Sequence, residues 1–104
     1  MFLDKVDYVA SKLDSISALT ALAEEASELS KAALKMARAK GLTKNPTPIS
    51  ESSAEDDLIE EFNDVLLCAK VCNKVLDIPL QYNFNNEMEK LDRWIIRLNQ
   101  LEEM

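Results

Sequence analysis

Along nearly the whole chain apolar residues recur in steps of three and four, and no stretch alternates apolar and polar in steps of two. Four stripes can be traced: Leu3, Val6, Ala10 and Leu13; Leu19, Leu22, Ala26, Leu29, Ala33 and Met36; Leu58, Phe62, Val65, Ala69, Cys72 and Leu76; and Phe84, Met88, Leu91, Ile95 and Leu98. At about 100° per residue, each stripe is one face of an α-helix. The pattern predicts helices over about 3–13, 16–40, 54–76 and 83–103, and an all-α, four-helix bundle-like protomer.

The residues between the stripes supply the breaks. Asp14-Ser15-Ile16-Ser17 offers N-cap side chains for the second helix. Gly41 suits its C′ position, and Lys31, Lys35, Arg38 and Lys40 favour its C-terminal dipole. Gly41 to Ser53, with Asn45-Pro46-Thr47-Pro48 inside it, reads as a loop long enough to be either a connector or a lid. Ser53 is the expected cap of the third helix, with Glu55, Asp56 and Asp57 on its positive end. Asp77-Ile78-Pro79 ends that helix, and Asn83 or Asn85 starts the last. From Val65 to Leu76 the third helix is apolar almost all round, which in so small a domain calls for more protein against it. A homodimer or homotetramer is the expectation, with Leu67 and Val71 on the covered face.

Composition narrows the function classes. One domain spanning 1–104 fits a chain of 104 residues that is 47% hydrophobic, with one Gly and three Pro. A net charge of −7 argues against nucleic acid or an anionic membrane as partner, since both need a basic footprint. No run approaches the length of a membrane span, and Asp4 and Asp7 interrupt any leader-like apolar segment, so a cytoplasmic location is expected. Cys68 and Cys72 lie one turn apart with no histidine in the chain, and read as reduced core thiols. Without histidine, any metal must be an oxygen-liganded one such as Mg²⁺ or Mn²⁺.

Two acidic stretches stand out against this background: Glu24-Glu25-Ala26-Ser27-Glu28 and Glu60-Glu61-Phe62-Asn63-Asp64. Glu25 and Glu61 lie roughly 60 to 80° from the centres of their stripes, and Glu28 and Asp64 lie further round in the same sense. In the row of Glu25 and Glu28 stand Ala18, Ala21 and Ala32; in the row of Glu61 and Asp64 stand Cys68, Val71 and Val75. A solvated row would carry Lys, Gln or Arg. Acids in register with small or apolar residues are at least half-buried, where their repulsion and desolvation must be offset by a cation or by proton uptake. Packed side by side, the two helices would bring four carboxylates together as a site for a hard divalent ion. Glu24 and Glu60 point further out.

The paired acids resemble the signature of the all-α nucleoside triphosphate pyrophosphohydrolases of the MazG type, related to dimeric dUTPases and phosphoribosyl-ATP pyrophosphohydrolase. That signature is two adjacent glutamates with a third three positions on, then a glutamate and an aspartate three apart on a later helix. Here it is Glu24, Glu25, Glu28, Glu61 and Asp64, and the resemblance runs over about residues 13–97. It implies hydrolysis of a nucleoside triphosphate between the α and β phosphorus, giving the monophosphate and pyrophosphate. In that scheme Glu25, Glu28, Glu61 and Asp64 are ligands to Mg²⁺ (or Mn²⁺), Glu25 has a catalytic part, and Glu24 orients the attacking water. On the last helix Asn86, Lys90, Arg93 and Arg97 form a polar row, and Lys90, Arg93 and Arg97 are the expected phosphate-binding residues. The alternative is a non-catalytic acidic helical bundle acting as a protein-interaction module. A di-iron carboxylate bundle would need Glu-x-x-His pairs that this chain lacks.

Overall fold

The structure, a computed structural model, describes residues 2–41 and 50–103. Four helices follow one another with no strand among the described residues: α1 (Phe2–Lys12), α2 (Ser15–Ala39), α3 (Glu51–Leu76) and α4 (Phe84–Glu103). The fold is all-α, as the periodicity predicts. Residues 42–49, which include Asn45-Pro46-Thr47-Pro48 of the candidate lid, lie outside the described residues.

The helix ends show how the boundaries are set. Asp14 is extended and its carboxylate accepts from the Ser17 N–H at 2.7 Å, which caps α2 and holds the Asp14 carboxyl below its ordinary pKa. Gly41, at φ 74°, follows the C-cap Lys40. The third helix begins earlier than expected: Ser50, not Ser53, is the cap, and the Ser50 hydroxyl accepts from the Ser53 N–H at 3.4 Å. Both serines fit a cap by type, and the extra turn was hidden because Glu51, Ser52 and Ser53 carry no apolar residue to mark it. Asp77 closes α3 in the left-handed region at φ 53°. The Asn73 amide group then pins the descending chain, donating to the Leu80 carbonyl at 2.9 Å and accepting its N–H at 2.6 Å. Asn83 caps α4, accepting from the Asn86 N–H at 2.9 Å.

Helices α2 and α3 form an antiparallel pair. Lys40 meets Glu51 at 3.6 Å at one end, Lys35 meets Asp57 at 2.6 Å one step in, and at the far end the buried Cys72 thiol donates to the Ala18 carbonyl at 3.2 Å. Helix α1 crosses α3, burying Val6 and linking Asp7 to Lys74 at 3.4 Å. Val71 is buried on the side of α3 that faces α1 and α2, so this chain itself covers the position expected at an interface between copies. Leu66 and Leu67 stay half-exposed.

The buried face is not centred on the stripes. In α2 Ala18 and Ala32 are buried and Ala21, Leu22, Glu25, Leu29 and Met36 half-buried, whereas Leu19, Ala26 and Ala33 are exposed. In α3 Ala54, Val71 and Cys72 are buried and Leu58, Glu61, Asp64, Val65, Cys68 and Ala69 half-buried, whereas Phe62 is 52% exposed. The covered face of each helix thus takes in part of the acidic row together with part of the stripe. The alanines explain it, since small side chains let two backbones approach closely and the bulky stripe residues would hold them apart. Helix α4 packs along none of the others, and every one of its described residues is exposed.

Candidate functional site

The packing of α2 on α3 brings part of each acidic row into their interface. One carboxylate oxygen each from Glu25, Glu61 and Asp64 lies within 4.8 Å of the others, and all three residues are half-buried. None of the three forms an ion pair among the described residues. The crowding is felt at Glu61, whose carboxyl is pushed above its ordinary pKa by loss of water first, then by the fields of Asp64, Glu25, Glu60 and Glu28. Glu24 and Glu60 are exposed, on the outward side that their helix positions predict.

The other expected ligand, Glu28, stands outside this set. Its side chain is 52% exposed and its carboxylate is held by Lys31 at 3.3 Å. It lines a cleft of about 240 Å³ between α2 and α3, together with Lys31, Ala32, Lys35, Arg38, Asp57 and Glu61. Glu61 therefore belongs both to the carboxylate set and to the cleft. From the sequence Lys35 and Arg38 suit only the α2 dipole, Lys31 that dipole and an ion pair with Glu28, and Asp57 only the first turn of α3. A sharper signal was present: Glu28, Lys31, Lys35 and Arg38 step by three, four and three along one row.

The expected phosphate-binding residues lie elsewhere. Lys90, Arg93 and Arg97 project with Trp94, Leu98 and Leu101 around a broad hollow of about 660 Å³, and none of them borders the carboxylates within the chain. A third hollow, of about 220 Å³, lies where α1 crosses the α2–α3 pair and is walled by Val9, Leu13, Ala18, Ala21, Leu67, Cys68 and Val71. Cys68 joins it to the carboxylates, because burial first, then Glu25, Cys72 and Asp64, push its thiol above the ordinary pKa. Both cysteines are free thiols, as expected.

The donor set fits a hard divalent ion by its chemistry: oxygen only, no imidazole, and three negative groups with no cation of the described chain among them. Ligands at about 2.1 Å from a shared Mg²⁺ stand roughly 3 to 4 Å apart, so small rotamer changes would close the set. None of the described helices is long and apolar enough to cross a membrane. Set beside known proteins, the chain matches no family model, no curated protein and no solved structure.

Proposed function

We propose that this protein hydrolyses a nucleoside triphosphate to the monophosphate and pyrophosphate with the help of Mg²⁺ or Mn²⁺, in the manner of the MazG-type enzymes that its acidic signature resembles. The observation that carries the reading is the meeting of Glu25, Glu61 and Asp64 from two helices, half-buried and with no ion pair among the described residues. A chain that leaves three acids in such a place needs something positive there. Proton uptake at Glu61 is one answer, and a divalent ion is the answer that gives the site a use.

Glu25, Glu61 and Asp64 would hold the ion, with Glu28 one turn from Glu25 as the fourth carboxylate. Bound there, it would supply Lewis-acid charge that neutralises phosphate oxygens and lets a triphosphate approach the acids at all. In the reaction a water oxygen bonds to the α phosphorus, the bond from that phosphorus to the bridging oxygen breaks, and pyrophosphate leaves with the electron pair. The water proton passes to a carboxylate, for which Glu24 on the outer side of the same turn is the candidate. The apolar hollow behind Cys68 offers space to the uncharged end of a nucleotide. Nucleotides, Mg²⁺ and reduced thiols together suit a cytoplasmic protein.

The same reading includes an assembly of two or four copies. Trp94, Ile95, Leu98 and Leu101 on α4 are 50 to 66% exposed and have no cover within the chain. A neighbouring copy would bury them, and only across such an interface can Lys90, Arg93 and Arg97 meet a carboxylate site. That exposed helix also favours a second reading, a non-catalytic module that binds another protein through α4. Pyrophosphate release measured over a panel of nucleotides, with and without Mg²⁺, separates the two. Release that requires Mg²⁺ supports the enzyme, and no release from any nucleotide leaves the module.

A further inference from the structure

We infer that the cleft beside the carboxylates is the subsite for the pyrophosphate group, with Lys31, Lys35 and Arg38 as its cations; the inference rests on the pyrophosphohydrolase reading above. The three side chains stand one turn apart along α2 and face α3 across a floor made by Ala32, which is buried. Their present partners are few. Lys31 is 71% exposed and pairs with Glu28 at 3.3 Å, Lys35 pairs with the half-exposed Asp57 at 2.6 Å, and the Arg38 side chain has no partner among the described residues. The exposed Lys31–Glu28 pair exchanges easily for a stronger anion, and a guanidinium can take two oxygens of one phosphate at once. At about 240 Å³ the cleft suits a compact anion rather than a drug-sized ligand.

Charge balance then sets the order of events. Lys31, Lys35 and Arg38 face Glu28, Asp57 and Glu61, so the cleft is close to neutral by itself and a bare pyrophosphate gains little there. Divalent ions on the acids tip the balance toward the anion. Conversely, a phosphate that takes Lys31 releases Glu28, whose carboxylate sits one turn from Glu25 and becomes free to join the carboxylate set. Cation and anion therefore bind with positive coupling, and Glu28 is the group that carries it. This accounts for the one expected metal ligand that stands apart from the other three.

The test uses inorganic pyrophosphate as probe, titrated calorimetrically into the protein with Mg²⁺ in excess over both, and Mn²⁺ uptake followed separately by its spin resonance. The wild type should bind pyrophosphate only with the cation present. Arg38→Ala and Lys35→Ala should each weaken it about tenfold while Mn²⁺ uptake without pyrophosphate stays unchanged. Asp57→Asn, which frees Lys35 without removing a cation, should strengthen it. Circular dichroism checks that each variant is folded, and the aspartate variant keeps the test decisive if Lys35→Ala loosens the helix pair. If Mn²⁺ is taken up but Arg38→Ala and Asp57→Asn both leave pyrophosphate affinity within twofold of wild type, the subsite is elsewhere and this inference alone is overturned. If the wild type takes up no Mn²⁺, the pyrophosphohydrolase reading falls and the subsite falls with it.

Discussion

Helices α2–α3 and helix α4 carry the same kind of apolar stripe, yet one pair is sealed together and the other helix stands open. The difference lies in what flanks the stripes. Beside those of α2 and α3 run rows of Ala18, Ala21 and Ala32 and of Cys68 and Val71, and these rows share the contact with part of each stripe, Cys72 above all. Helix α4 has no such row: Phe84, Met88, Leu91, Trp94, Ile95, Ile96, Leu98 and Leu101 are all large, and charged or amide side chains fill the other positions. Periodicity names the face that needs cover. Side-chain size decides how closely a partner approaches, and therefore whether an acid beside the stripe ends in water or in an interface.

The sharpest way to break the comparison is to remove charge from the sealed side. Asp64→Asn keeps the shape and takes away one of three converging negative groups, so turnover should fall by on the order of 100-fold or more. The metal-free fold should hold or melt slightly higher, because repulsion at Glu61 is eased. Measured pyrophosphate release and melting temperature give both numbers; an active Asp64→Asn enzyme would remove the carboxylate set from the mechanism.

On the open side the expected effect is on assembly. Leu98→Asp or Trp94→Glu should leave the stability of an isolated protomer within about 0.5 kcal/mol, since these side chains touch little within the chain. In an assembly that buries them, the same changes should cost about 2 kcal/mol or more, which is roughly thirtyfold in the dissociation constant. Sedimentation of wild type and variants at micromolar concentration decides it. A wild type that is monomeric there would mean that α4 is not an interface between copies.

The contrast also says what could be read in advance. All four helices were legible because each carries a stripe of five or six apolar positions at helical spacing, or four in α1, and the ends at Asp14, Gly41 and Asp77 because their residue types have local work to do. Of the carboxylates, Glu25, Glu61 and Asp64 were legible from their apolar rows. The place of Glu28 was not, since its ion pair with Lys31 competes with the convergence and only coordinates rank the two. Nor was the separation of Lys90, Arg93 and Arg97 from the acids, which depends on how α4 packs and has no mark along the chain. Nor was the cleft, because Lys31, Lys35 and Arg38 suit the end of α2 whether or not they also line a cleft against α3.

A subtler effect should appear with pH. The folded-state pKa of Glu61 is raised, so in the window from its ordinary value of 4.5 up to the raised value the folded protein holds more proton than the unfolded chain. Stability from this group therefore increases as pH falls through that window and is lost as pH climbs above it. Metal-free wild type should gain melting temperature on going from neutral to mildly acid buffer, by more than Glu61→Gln does. Saturating Mg²⁺ should erase the difference, because the ion replaces the proton as the compensating charge. Parallel pH curves for wild type and Glu61→Gln would show that the acids are not crowded in solution.

The smallest effect is the control on which the comparison depends. Glu60 precedes Glu61 in the chain but points outward, is exposed, and reaches the site only as the fourth-ranked influence on the Glu61 carboxyl. At an exposed position the neutral amide costs no packing and no ligand, so Glu60→Gln should change turnover by less than about twofold and stability by no more than about 0.5 kcal/mol. What small effect it has should follow the field at Glu61, lowering that carboxyl slightly and narrowing the pH window. A loss with Glu60→Gln as large as that with Asp64→Asn would mean that α3 is turned the other way about its axis. The small-residue rows would then not be the contact between α2 and α3, and the meeting of Glu25, Glu61 and Asp64 would go with them.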